Sequence, residues 1–168
     1  VINNGILVSA QPGYAYFDER FQKSYQNYIP EAVFNRQIPL RTIAEQGGVI
    51  LGSSDSPVQY HDPFIQIAGM VKFPIQNERL SMFQALRTYT LNPAVATFEE
   101  DMKGTLEPEK LANFMVLNKD PFTIKDDEIE MLHAKKVYTC GKVVKPMSES
   151  VASFIFNIPN HNFVLLLR

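Results

Sequence analysis

A chain of 168 residues that is 45% hydrophobic and 20% charged is long enough to bury one ordinary core, and its composition excludes a disordered or low-complexity protein. A net charge of −2, with no basic run longer than Lys135-Lys136, leaves no electrostatic footprint for nucleic acid or an anionic membrane surface. The single cysteine, Cys140, cannot form an internal disulfide, and the sequence shows no charged-then-apolar leader and no long apolar run, so a reducing, cytoplasmic location is expected.

The opening residues, Val1-Ile2-Asn3-Asn4-Gly5, read as the middle of a longer protein: they lack an initiator Met, and Asn-Gly before Ile6-Leu7-Val8 resembles a left-handed helix cap turning into a strand. That strand is expected over 6–10, stopping at Gln11-Pro12-Gly13, where proline disfavours a helical residue before it and glycine permits a sharp turn. Tyr14, Phe17, Phe21, Tyr25 and Tyr28 recur at intervals of 3, 4, 4 and 3, which places them on one face of a helix or helical loop. A stripe of this kind is expected to be packing surface. Pro39 suits the first turn of a helix that turns Leu40, Ile43 and Ala44 inward and ends near Gly47.

Gly47-Gly48-Val49-Ile50-Leu51-Gly52 follows. Three large apolar residues between glycines are too short for a core helix and lack the alternation of a half-exposed strand, so they read as a strand buried on both faces in a parallel sheet. The order strand, helix, strand predicts that 6–10 and 49–51 are parallel neighbours, with the helix from Pro39 crossing over between them. The first ionisable group after the second strand is Asp55, in Ser53-Ser54-Asp55-Ser56-Pro57-Val58, where the strand's carboxyl end opens into a loop. Ligands and chemistry gather at that edge in parallel α/β folds. An Asp among serines before a proline is also an ordinary turn residue, and the residues alone leave both readings open.

Further on, Asp62-Pro63 is a capping residue with proline at the first helical position, and Phe64, Ile67, Ala68 and Val71 keep a helical spacing up to Pro74. Ser81-Met82-Phe83-Gln84 fits a capping box for a helix burying Leu80, Phe83, Leu86 and the stem of Arg87, with a second helix from Asn92-Pro93. From Met102 the texture changes to short strands: Phe114-Met115-Val116-Leu117, a turn at Asn118-Lys119-Asp120-Pro121, and a hairpin of Val137-Tyr138-Thr139 and Val143-Val144 around Cys140-Gly141. Cys140 is read as a turn residue, not a nucleophile. His61, His133 and His161 lie far apart without metal-site spacing, and no phosphate loop or nucleophile elbow occurs.

Several of these segments together resemble a known family. Ile38-Pro39-Leu40-Arg41-Thr42, Gly52-Ser53-Ser54-Asp55-Ser56-Pro57-Val58, Ala85-Leu86-Arg87-Thr88-Tyr89-Thr90 and Gly104-Thr105-Leu106-Glu107-Pro108 through Leu117 resemble, in order and spacing, the C-terminal end of metal-dependent amidohydrolases of the family 3, YtcJ-like branch. The resemblance covers residues 1–144. It implies an α/β fold: the last βα units of a TIM barrel, here incomplete, over 1–101, then the C-terminal strands of a small β-sandwich over 102–146, with a tail of unknown role over 147–168. Asp55 would be both a metal ligand and the catalytic carboxylate. The implied reaction is hydrolysis of a carbon–nitrogen bond in a small amide-type substrate, with a divalent metal, zinc being the expected ion.

Where relatives carry Pro-Gly-Lys and Ala-Asp, this chain has Pro108-Glu109-Lys110 and Ala112-Asn113. The family's metal-binding histidines fall before the part represented here, so the chain is expected to be a C-terminal fragment, inactive and metal-free by itself and prone to self-association. Two other readings stand beside this one: a non-catalytic interaction module, and an unrelated α/β domain binding a small ligand at the Asp55 edge.

Overall fold

Among the residues described by the computed structural model, 4–17 and 27–144, the chain enters the core through β1 (Val8–Ala10). The strand is shorter than the sequence suggests: Ile6 and Leu7 precede it and are 52% and 37% exposed. Helix α1 (Pro12–Phe17) follows directly, then the short α2 (Glu31–Phe34) and α3 (Leu40–Glu45). Gly13 lies inside α1, which corrects the expectation of a sharp turn there. Its role is close approach, since a Cβ there would sit 2.6 Å from Gln66 Oε1. Phe21 and Tyr25 of the aromatic stripe, the tail 147–168 and His161 lie outside the described residues.

Helix α3 begins after Pro39 and buries Leu40 completely. The Glu78 carboxylate accepts hydrogen bonds from the Thr42 N–H and hydroxyl, satisfying a donor that the helix start leaves open. Gly47, at φ +81°, turns the chain out of the helix. β2 (Ile50–Gly52) then pairs in parallel with β1, Val8 opposite Ile50 and Ala10 opposite Gly52. The strand-helix-strand expectation is borne out. Burial on both faces is not: Ile50 is 2% exposed, whereas Val49 and Leu51 are half-buried. The edge of β2 away from β1 is held by a helical turn, with the Gly52 N–H donating to the Thr88 carbonyl at 3.0 Å and Asn92 Nδ2 donating to the Ile50 carbonyl at 2.8 Å.

Helix α4 (Pro63–Val71) starts as read, with the Asp62 side chain accepting from the Phe64 N–H at 2.9 Å and Phe64, Ile67, Ala68 and Met70 buried. The capping box of α5 (Met82–Arg87) is present between Ser81 and Gln84. Its inward face differs from the expectation, because Ala85 is buried while Phe83 is 59% exposed beside the Arg87 guanidinium. Helix α6 (Leu91–Ala96) follows.

β3 (Phe114–Leu117), β4 (Ala134–Thr139) and β5 (Lys142–Val143) form an antiparallel sheet in that order. The β4–β5 turn places Cys140 and Gly141 at φ +49° and +75°, the mirror-image turn that suits a two-residue hairpin. Asn113 Oδ1 accepts from the Cys140 N–H at 2.8 Å and so holds this hairpin. One face of β3 reaches inward: Met115 and Leu117 pack on the cluster that contains Ile67, Met70, Ile129 and Leu132. Phe114 and Val116 face outward, with the Phe114 ring stacked on Tyr138 at 4.5 Å. Among the described residues, no helix is long and apolar enough to cross a membrane.

Candidate active site

β1 and β2 end side by side, and the Ser53 N–H still donates to the Ala10 carbonyl at 3.0 Å as the two chains leave the sheet. β1 passes into α1, and β2 into a loop that runs to the start of α4. Asp55 sits in this loop at φ +53°, in a turn closed by the Val58 N–H on the Asp55 carbonyl at 2.9 Å. An aspartate tolerates that left-handed conformation better than most residues. The two readings of Asp55 are thus compatible: it is a turn residue, and it lies at the carboxyl edge of the parallel pair.

The Tyr14 hydroxyl, on the first turn of α1, donates to Asp55 Oδ2 at 3.0 Å. Partial loss of solvation, this hydrogen bond and the negative charge of Asp55 push the Tyr14 phenol above its usual pKa, so it is a protonated donor at neutral pH. Helix α1 and the Asp55 loop are both fixed from below by one buried amide. Gln66 is fully buried; its Oε1 accepts from the Gly13 N–H at 3.1 Å and its Nε2 donates to the Tyr60 carbonyl at 3.2 Å. Gly13 precedes Tyr14 in α1, and Tyr60 belongs to the Asp55 loop, so the amide sets the position of the helix start against the loop.

On the other side of β2, the Tyr89 ring covers Gly52 so closely that a Cβ there would lie 2.1 Å from a ring carbon. The Tyr89 hydroxyl is buried with no hydrogen-bond partner among the described residues. Burial, and secondarily the charge of Asp62, push its pKa strongly upward.

His61 lies later in the Asp55 loop, and His133 is exposed with Nδ1 3.1 Å from the Met131 carbonyl. No group of three His, Cys, Asp or Glu among the described residues is placed to hold a metal ion. A hydrolytic site needs about three or four protein ligands. Asp55 fits one such position, because Oδ2 is engaged by Tyr14 and Oδ1 by no described residue.

Sequence reasoning missed Tyr14 and Gln66. Tyr14 belongs to the aromatic stripe whose spacing reads as packing surface. Gln66 did carry a signal, being a polar side chain at helical spacing on the same face as Pro63, Ile67 and Met70.

YtcJ of Bacillus subtilis (strain 168) is 29% identical over 114 residues, covering 62% of this chain and 22% of its own. The N-substituted formamide deformylase of Arthrobacter pascens is 27% identical over 144 residues, covering 82% of this chain and 26% of its own. The crystal structure of an uncharacterized metal-dependent hydrolase from Pyrococcus furiosus superposes with a TM-score of 0.55 at 26% identity, covering 72% of this chain and 25% of that one. The chain therefore spans about a quarter of the length of the curated relatives it matches. The model of the amidohydrolase family (Amidohydro_3) matches residues 3–145, which include β1, β2 and the Asp55 loop, and so the chain belongs to the amidohydrolase family.

Proposed function

We propose that this chain supplies the proton-handling carboxylate, Asp55, to a metal-dependent hydrolase that cleaves carbon–nitrogen bonds in small amide-type substrates. The observation that carries the reading is the place of Asp55, at the carboxyl end of a parallel strand pair with one oxygen held and the other unengaged among the described residues. In this reading β1, α3, β2 and α4 belong to the last βα units of a TIM barrel within 1–101, and β3, β4 and β5 to a small β-sandwich within 102–146. The parallel register of β1 and β2 and the antiparallel second sheet support that division. The substrate class is supported by the kinship with an enzyme named for N-substituted formamides, and the metal by the kinship with a structure described as a metal-dependent hydrolase.

Asp55 would be one of the residues at the metal site, and the remaining ligands would come from the part of the relatives' length that this chain does not match. When bound, such an ion, zinc being the expected one, supplies a water of lowered pKa and polarises a carbonyl. Asp55 then takes a proton from the attacking water and delivers it to the leaving nitrogen, so that one carboxylate acts first as base and then as acid. The exposed position of the Asp55 turn keeps it open to substrate, while Gln66 and Tyr14 fix it relative to β1.

The test uses the protein encoded by the whole reading frame that carries this sequence, loaded with zinc and offered N-substituted formamides and acetamides while released amine is measured. Asp55→Asn is expected to lower turnover by about 10² to 10⁴, the usual worth of positioned proton transfer, with the unfolding midpoint unchanged. An Asp55→Asn variant as active as the parent would reduce Asp55 to a turn residue.

A further inference from the structure

We infer that Tyr14 is the positioning residue of Asp55, its phenol holding Oδ2 and thereby fixing Oδ1 as the oxygen that works on the substrate side. This rests on the reading of Asp55 as the proton-handling carboxylate and goes beyond it by assigning separate tasks to the two oxygens. The hydroxyl donates to Oδ2 at 3.0 Å across 41 residues of sequence. A carboxylate in an exposed turn rotates freely about its side-chain bonds unless something engages it, and the phenol does so without bringing a second charge.

The donor is itself held in place. Tyr14 follows Gly13, whose N–H is bound by the buried Gln66, and the other end of that amide is bound to Tyr60 in the Asp55 loop. Only glycine at position 13 lets the amide approach this closely. The chain thus forms a closed circuit from α1 through Gln66 and the β2 loop to Asp55 and back through the phenol. A ring that served only as packing surface would need no such circuit.

The experiment has two arms. In the protein from the whole reading frame, turnover of an N-substituted formamide is compared for the parent, Tyr14→Phe, Asp55→Asn and the double variant. Tyr14→Phe is expected to lower kcat about 10-fold or more with KM unchanged, as a misplaced reacting group does, and to have no further effect in the Asp55→Asn background. An unchanged kcat, or an equal loss in both backgrounds, overturns the proposal. In the 168-residue chain, the three-bond couplings that report the Asp55 χ1 angle are expected to show one rotamer for the parent and an average for Tyr14→Phe. Couplings that do not differ also overturn it. Failure of every form to hydrolyse any amide refutes the hydrolase reading, and the couplings then decide the placement of the carboxylate by themselves.

Discussion

Gln66 is a fully buried amide on the helix face it shares with Pro63, Ile67 and Met70, and a leucine of similar size could not replace it. Gln66→Leu would strand the Gly13 N–H and the Tyr60 carbonyl, at a cost of about 1–3 kcal/mol for each buried group left unpaired. Urea denaturation should show that loss; an unchanged midpoint would mean that both groups find other partners. Tyr89 is the reverse case. Its hydroxyl is buried without a partner among the described residues, so Tyr89→Phe is expected to raise stability by about 1 kcal/mol while the ring keeps its place on Gly52. A lower unfolding midpoint would reveal a partner for the hydroxyl. Of the candidate site, Asp55 was legible because it is the first ionisable residue after an apolar strand. Tyr14 was not, since spacing sorts residues by face and says nothing of a hydroxyl whose acceptor arrives from 41 residues away.

Among the elements, those that announce themselves through capping chemistry were read correctly. Asp62-Pro63 and Ser81 with Gln84 use local side-chain to backbone bonds that need no tertiary information. The face of α5 was misread for the opposite reason: six residues make less than two turns, too few for spacing to choose between Phe83 and Ala85, and the packing of Leu80 and Ala85 into the core decides. The outer edge of β2 was illegible because Thr88 and Asn92 bond to it from a helical turn and not from a strand. Ser81→Ala removes one half of the α5 capping box and is expected to cost about 1 kcal/mol in chemical denaturation, with Ser81→Asp restoring most of it.

At the scale of the whole molecule, three surface carboxylates tie stability to pH. Hydrogen bonds from Lys103, Lys110 and Lys119 hold Glu99, Glu107 and Glu128, respectively, below the ordinary carboxylate pKa of 4.5. Each pKa is lower in the folded chain than in the unfolded one, so the stability these groups lend is present above pH 4.5 and is lost as pH falls through the folded values. The effect is small because the pairs are exposed, and added salt should flatten it. A thermal midpoint that rises on acidification below pH 4 would contradict this assignment. Phe114, Val116 and Val143 leave an apolar strip on the outer side of the second sheet, which supports the expectation that the 168-residue chain self-associates at working concentrations. Light scattering from a monodisperse monomer would set that aside.

The two sheets share one core, for Ile129 and Leu132 are buried in the same cluster as Ile67 and Met70, and Glu130 accepts from both Tyr16 and Lys72. The stretch between α6 and β3 is therefore a covalent tether between halves that are already joined by packing. A trypsin cut at Lys103 or Lys110 should yield two peptides that travel together through gel filtration and part only in denaturant, and a gene divided at that point should give complementing fragments when both are expressed in one cell.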